Sequence, residues 1–476
     1  MSECGRFFCT RIYAPWCGTG YGQQCAQLAE RLAAAGYRVV ISAFYGLNGS
    51  STSWKGILVL PPGQDPYGSD IIVAHARHVQ ADLLKRGETD PFTVITLMDA
   101  WVLDKGQIRE LVQSGTPVLH WMPVDCDPIS QMDVDHLRES GGTPVAMSRF
   151  GYGKFIEAGF ANTLYAPHAI DMSVFTPAED REVLRRQFGL EGKWVAGINK
   201  SNKEQVRAGY VQQLAAFARV HKRHPDTLLS IHAARVTPTG LNLDNIAAKL
   251  GISQAVVFND QYAYIAGLFG QADLARWYSA LDLCSNTALG GGFELALLEA
   301  QACGTPVVGT DHSAMTELCK VGWKVRGDEF WNPSHQSWWM TPSIGAIEKV
   351  YERSYEMYKR GTFTKKREAA RQFALSYNAD DVLREFWVPI LDGLSGAATL
   401  RPLERDRDAT LARLQDAFNA GSLDAGAFGE RAQKALAASA GEDLAALVAD
   451  LPEAAVAALW HLILGGSRRI LTARSR

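Results

Sequence analysis

Two patterns alternate along the chain. Short apolar runs fall at 6–14, 39–43, 57–60, 92–97, 118–121, 144–147 and 163–166, and most are separated by stretches whose apolar positions recur every three or four residues. The runs read as buried strands and the stretches as amphipathic helices. One helix is predicted from about Gln23 to Ala35, where Gly36 ends it. The alternation resumes after a charged helix at 180–188. Strands are predicted at 194–198, 228–232 and 256–258, with a helix placing Leu214, Phe217, Ala218 and His221 on one side, and another helix at 274–280. Strand and helix in turn predict an α/β fold with parallel sheets covered on both faces. Ligands of such sheets collect beyond the carboxyl ends of the strands.

Several of those ends carry polar or glycine-rich sequence. After the first strand comes PWCGTGYG, whose Gly18, Gly20 and Gly22 suit a plain tight turn or a dinucleotide loop. The next strand runs on into Phe44 and Tyr45 instead of ending in the acidic residue a nicotinamide dinucleotide needs. Asp99 follows VITLM, and His120 and Asp125 lie in VLHWMPVDCDP; all three are candidates for one wall of a cleft. Asp99 also suits a helix cap, and His120 a buried, hydrogen-bonded histidine. The triplets Asp125-Cys126-Asp127 and Asp133-Val134-Asp135 imitate a carboxylate pair that holds a divalent metal, but Pro123 and Pro128 describe a rigid loop, and no metal is expected.

The most developed unit is Gly290 to Asp311, GGGFELALLEAQACGTPVVGTD. Gly290 to Gly292 let the backbone come close to a ligand. Leu295, Leu298 and Ala302 have helical spacing, Gly304 stops the helix, and Pro306 to Val308 begin a strand. The free N–H groups at such a helix start favour an anion. An ordinary loop-to-helix turn has the same pattern.

Composition narrows the classes. With 476 residues the chain suits two domains and an appendage, and 47% apolar and 21% charged residues describe a globular protein. A net charge of −3 gives no global basic field for nucleic acid. Eight cysteines without a CxxC pair suit a reduced, cytoplasmic protein. The segment MSECGRFFCTRIYAP does not read as a secretion signal, and no stretch reaches the roughly 18 apolar residues of a membrane span.

The opening of the 290–311 unit resembles the signature of the retaining group 1 glycosyltransferases, the family with the GT-B fold of two facing Rossmann-like domains. Its pattern is a Glu, then Gly-Phe-Gly, then a second Glu eight positions after the first. Glu299 matches the second Glu, which the resemblance implies holds the ribose of a nucleotide sugar. The sequence departs at two places: position 291 is Gly291, and the second glycine of the turn is Glu294. Glu294 therefore stands as a shifted source of the sugar-binding carboxylate, beside the backbone of Gly292, Phe293 and Leu295. The segment APHAIDMSVFTP, with His168, Ile170, Asp171, Phe175 and Pro177, resembles the family's interdomain connection. The loop NKSNKEQVRAGY falls where the family binds the leaving diphosphate, Lys203 matching its Lys and Arg207 standing nearest to its absent Arg. Gly20, in the first glycine loop, would face the same cleft, and 258–262 falls where the family places the nucleotide base.

The resemblance covers about Arg6 to Leu394 and implies an acceptor-side domain at 1–170, a nucleotide-sugar domain at 171–375 and a crossover helix at 376–395. The expected activity moves a hexosyl unit from a nucleotide-diphosphate sugar, a UDP-sugar foremost, with retention and without a metal or other cofactor. The acceptor stays open among saccharide, lipid, protein and a hydroxymethylated DNA base. A sugar-nucleotide epimerase shares the architecture, and Gly291 together with the missing Arg suits a pseudo-transferase that binds donor without turnover. After a linker at 396–409, residues 410–476 form a helical appendage. Gly421, Leu423, Phe428, Glu430, Arg431, Asp450, Leu451 and Pro452 resemble a short bacterial domain of unknown function. The apolar run 454–464 with Arg468, Arg469, Arg474 and Arg476 suits a self-packed helix with a solvated basic tail, a peripheral membrane contact or a nucleic-acid contact.

Overall fold

The computed structural model describes residues 7–394 apart from 13, 45, 66–68 and 88–91, and residues 410–451 apart from 412, 416, 419–420 and 439–440. The linker and the basic tail beyond 451 lie outside the described residues. The described residues up to 394, with 159–161 excepted, form one compact unit, and those from 410 to 451 belong to a second.

The first half of the larger unit runs β1 (Phe7–Ile12), α1 (Gly20–Ala34), β2 (Arg38–Ala43), β3 (Thr52–Trp54), β4 (Ile57–Leu60), α2 (Ile72–Lys85), β5 (Phe92–Leu97), α3 (Lys105–Gln113), β6 (Val118–Met122), α4 (Gln131–Ser140), β7 (Thr143–Ala146), α5 (Arg149–Glu157) and β8 (Leu164–Tyr165). Among the described residues the sheet order is β3-β4-β2-β1-β5-β6-β7-β8. The ladders are parallel except for β3 with β4. β5 and β6 are buried along their whole length, as strands covered on both faces must be.

The second half runs α6 (Arg181–Gln187), β9 (Trp194–Asn199), α7 (Tyr210–Arg223), β10 (Thr227–His232), α8 (Leu243–Lys249), β11 (Val256–Phe258), α9 (Gln261–Ile265), α10 (Gln271–Ala280), β12 (Leu283–Asn286), α11 (Leu295–Ala302), β13 (Val307–Thr310), α12 (Met315–Leu318) and β14 (Trp323–Val325). Its parallel sheet has the order β11-β10-β9-β12-β13-β14. Residues 327–342, with Trp331, Trp338 and Trp339, form an antiparallel hairpin of β15 (Gly327–Asn332) and β16 (Ser337–Pro342). Side-chain caps start several of the helices: Thr19 Oγ1 accepts from Gly22 N at 3.1 Å, and Asp180 Oδ1 from Val183 N at 2.9 Å.

After α13 (Ile344–Lys359) and α14 (Thr364–Leu375) the chain returns to the first half. Ile170 N donates to Tyr377 O, and Ala379 N to Ile170 O, both at 3.0 Å. The continuous helical stretch 379–393 then packs Ala379, Val382, Trp387 and Leu391 into the core built on Leu28, Leu32 and Trp121. A contact between Glu317 and the start of α5 also joins the halves. Both carboxylate oxygens of Glu317 accept from Arg149 N, at 2.9 and 3.1 Å.

The smaller unit has its own core, with Leu411, Leu414, Phe428, Ala435 and Leu444 buried. Phe418 stacks on Phe428 at 5.1 Å, and Arg431 makes two bonds to the Asp450 carboxylate, of 2.6 and 2.7 Å. No helix among the described residues is long and apolar enough to cross a membrane.

Candidate active site

The carboxyl ends of β1, β9 and β10 open onto a cleft of about 790 Å³. Its first-half wall is the loop 15–21 with the start of α1; its second-half wall comprises Lys200, Lys203, Arg207, His232 and the residues from Gly292 to Glu299. This brings together Gly20, Lys203, Arg207, Gly292, Phe293, Glu294, Leu295 and Glu299.

The loop after β9 is held rigidly. Asn202 is buried; its Nδ2 donates to Ala234 O and Leu241 O at 3.0 and 2.8 Å, while its Oδ1 accepts from Leu241 N at 2.9 Å. Gly209 ends the loop at φ +62°, where a Cβ would lie 2.3 Å from Thr287 O, so the position requires glycine. Lys203 and Arg207 project between these fixed points, and Lys200 just before them. Arg207 Nη2 pairs with Asp125 at 2.8 Å, Nη1 lies 3.6 Å from Glu204, and the guanidinium stands 5.6 Å over the Trp339 ring. Its Nε has no hydrogen-bond partner among the described residues.

Two glycines of the 290–292 turn serve a close approach of protein to protein, where the sequence alone suggests a ligand. A Cβ at Gly290 would fall 2.3 Å from Asp125 O, and one at Gly292 would fall 2.1 Å from Pro123 Cβ. The close neighbour is thus the first-half loop 123–125, which also carries Asp127 into a backbone bridge with Trp338 of the hairpin. Met340 N bonds Leu289 O at 3.0 Å, which fastens the hairpin beside the turn.

Gly291 has a different neighbour. A Cβ there would meet Glu294 Oε1 at 2.1 Å, so the Glu294 carboxyl fills the space where a side chain at 291 begins. Asn286 Nδ2 donates to Glu294 Oε2 at 2.7 Å, and Lys200 Nζ pairs with Oε1. Glu299, on the inner face of α11, accepts from Tyr278 Oη at 2.8 Å, and Tyr278 Oη accepts from Asn199 Nδ2 at 2.7 Å. Burial pushes the Glu299 carboxyl up to about 7.

The remaining first-half candidates lie elsewhere. His120 sits in the middle of β6, fully buried on the face opposite Leu119 and Trp121, with Nδ1 2.9 Å from Thr96 Oγ1. Strand alternation turns it under Gly142, where a Cβ would lie 2.4 Å from Nε2, and away from the cleft. Burial holds its pKa down at about 3, so the ring is neutral. Asp125 stands behind Arg207 and holds it. Burial and the neighbouring Asp125 raise the Asp99 carboxyl, and Asp133 is raised further by burial together with Asp99 and Asp125.

Asp125, Cys126 and His335 bring one ligand atom each within 4.8 Å of one another. The donor set suits a cation poorly, because Arg207 already pairs with Asp125, and burial and Asp125 hold the Cys126 thiol protonated, up to about 12. Asp127 of the same triplet pairs with Lys154 at 2.8 Å.

Sequence reasoning missed Lys200, Tyr278, Asn286 and Trp16. Lys200 had a signal, since it directly follows a strand at its carboxyl end. Asn286 had the same signal, as the last residue of β12, whereas Tyr278 had none, because its role depends on Asn199 and Glu299, which other elements bring to it.

Residues 204–332 match the family model described as Glycosyl transferases group 1. This segment is therefore similar to the group 1 glycosyl transferases. The D-inositol 3-phosphate glycosyltransferase of Paenarthrobacter aurescens is 26% identical over 196 residues, 39% of this chain and 42% of that relative; the chain thus spans less than half the length of that relative. The sucrose-phosphate synthase of Thermosynechococcus elongatus superposes with a TM-score of 0.63 at 15% identity, covering 82% of this chain and 100% of that one. Anabaena HepE in complex with UDP-glucose gives 0.56 at 16% identity, with coverage of 82% and 100%. The larger unit has the GT-B glycosyltransferase fold. Residues 400–452 match a second family, the DUF1707 SHOCT-like domain.

Proposed function

We propose that the chain transfers a hexosyl unit from a nucleotide-diphosphate sugar, with UDP as the nucleotide, to an acceptor on the first-half side of the cleft, with retention and without a metal. The observation that carries this reading is the convergence of Lys200, Lys203 and Arg207 on one cleft with Glu294, Glu299 and the start of α11. A departing nucleoside diphosphate gains negative charge in the transition state, and fixed cations stabilise it without a metal. Glu299 would accept the ribose hydroxyls, and Glu294 with the backbone of Gly292 to Leu295 would hold the sugar. His232, whose ring is kept neutral at about 4 by burial, lies 5.1 Å from the Tyr264 ring and 5.3 Å from that of Phe269, an aromatic end suited to a base. On this reading the leaving phosphate itself would take the acceptor proton on the same face.

The test is a thermal-shift and turnover panel of UDP-, GDP- and ADP-sugars on wild type, Glu299→Ala and Lys203→Ala. A donor that stabilises the wild type and is slowly hydrolysed, with both effects lost in the variants, is the expected result. Stabilisation without turnover would establish a donor-binding protein instead, and no stabilisation by any nucleotide sugar would overturn the assignment.

A further inference from the structure

Resting on this reading of the cleft, we infer that the acceptor is an uncharged saccharide stacked on Trp16, not a phosphorylated sugar. Among the described residues, the Lys and Arg side chains that line the cleft, Lys200, Lys203 and Arg207, all come from the second half, where the leaving diphosphate needs them. The described first-half wall is made of rings and neutral hydrogen-bonding groups, among them Trp16, Tyr21, Thr19 and Gln23. The cations of α5 are engaged elsewhere: Lys154 pairs with Asp127 and Glu157 at 2.8 Å each, and the Arg149 guanidinium lies 3.7 Å over the Tyr165 ring.

Trp16 lines the cleft and is 44% exposed. Its Nε1 donates to Gly46 O at 2.6 Å, which satisfies the polar edge and fixes the ring plane, so that an apolar face remains for the C–H face of a sugar. Thr19 Oγ1 accepts from Gly22 N and keeps its own proton to donate to a hydroxyl. A phosphate dianion would find no counter-charge on the described first-half wall itself; Lys203, which acts on Cys17 from the second half, is on this reading engaged by the leaving diphosphate.

The test uses the full chain with a donor established by thermal shift and compares initial rates for matched acceptors: glucose with glucose 6-phosphate, fructose with fructose 6-phosphate, and maltose with its phosphate. The neutral member of a pair should be used with a kcat/KM at least about tenfold higher. Trp16→Ala should raise the acceptor KM about tenfold, more than it raises the donor KM, and Trp16→Phe should recover most of the loss. Preference for the phosphorylated member, or an acceptor KM untouched in Trp16→Ala, would overturn the inference. Donor hydrolysis with neither class accepted would overturn it and leave the transferase fold's donor reading standing, whereas absence of donor binding would overturn both.

Discussion

Arg207, from the loop after β9, reaches Asp125, from the loop after β6, at 2.8 Å, so one ion pair joins the two sheets at the floor of the cleft. Asp125 therefore acts on any ligand through the guanidinium it orients. Arg207→Ala is expected to lower kcat about a hundredfold, the usual cost of removing a group aimed at developing charge. Asp125→Asn should cost about tenfold, and the double variant should be no worse than Arg207→Ala alone, because the two residues act as one unit. Additive losses in steady-state kinetics would show Asp125 acting elsewhere.

Glu294 occupies the space that a side chain at Gly291 would enter. A single Gly291→Glu change therefore crowds one carboxyl against another and should abolish turnover. Exchanging both, Gly291→Glu with Glu294→Gly, moves the carboxylate to the position the family pattern gives it. The double variant should recover at least about tenfold of the activity lost in the single one, a coupling of at least about 1.4 kcal/mol. Turnover measurements on the three variants decide it; a double variant as inactive as the single one would mean that the two positions are not interchangeable.

The parallel sheets were legible because β1, β5, β6, β9 and β10 are apolar runs bounded by glycine and polar residues, and periodicity reports burial directly. The loop after β9 that carries Lys203 and Arg207 was singled out by its resemblance to a family segment, and not by periodicity. What escaped depends on residues distant in sequence. His120 and Asp125 lie in one motif, yet the strand's pleat turns His120 under Gly142 while Asp125, past the strand end, reaches Arg207. The purpose of Gly290 and Gly292 escaped likewise: the sequence says that something approaches, not that it is the loop 123–125. The hairpin β15–β16 was obscured because its tryptophans break the alternation that marks a half-buried strand.

Gly292 packs its Cα against Pro123, where an added Cβ would lie 2.1 Å from Pro123 Cβ and 2.7 Å from Pro123 Cα. Backbone must move to admit even one methyl group. Gly292→Ala should therefore destabilise the protein by about 1–3 kcal/mol, as overpacking does, and weaken donor binding at least about tenfold by displacing the wall of the cleft. Thermal melting and donor titration together check this. Gly18→Ala, where nothing lies within 4 Å of the added Cβ, is the matched control and should melt close to wild type.

Glu299 links pH to both stability and binding, with opposite signs. Its carboxyl titrates at about 7 in the fold against 4.5 for a solvated glutamate side chain, because burial disfavours the charge. The folded state thus holds a proton that the unfolded state has released between these values, and stability falls as pH rises from about 4.5 to about 7, by on the order of 3 kcal/mol in all. Glu299→Gln removes that cost, so the variant's advantage in melting temperature should be larger at pH 8 than at pH 5. Donor binding runs the other way if the ionised carboxylate accepts the ribose hydroxyls. Only about a tenth of the molecules carry that charge at pH 6, so UDP-glucose, whose diphosphate has the same charge at both values, should bind about tenfold more weakly there than at pH 8. Titrations of wild type and Glu299→Gln at the two pH values test this directly: wild-type affinity that does not change with pH would remove Glu299 from the ribose site, whereas a pH dependence present in wild type and absent in Glu299→Gln would place it there.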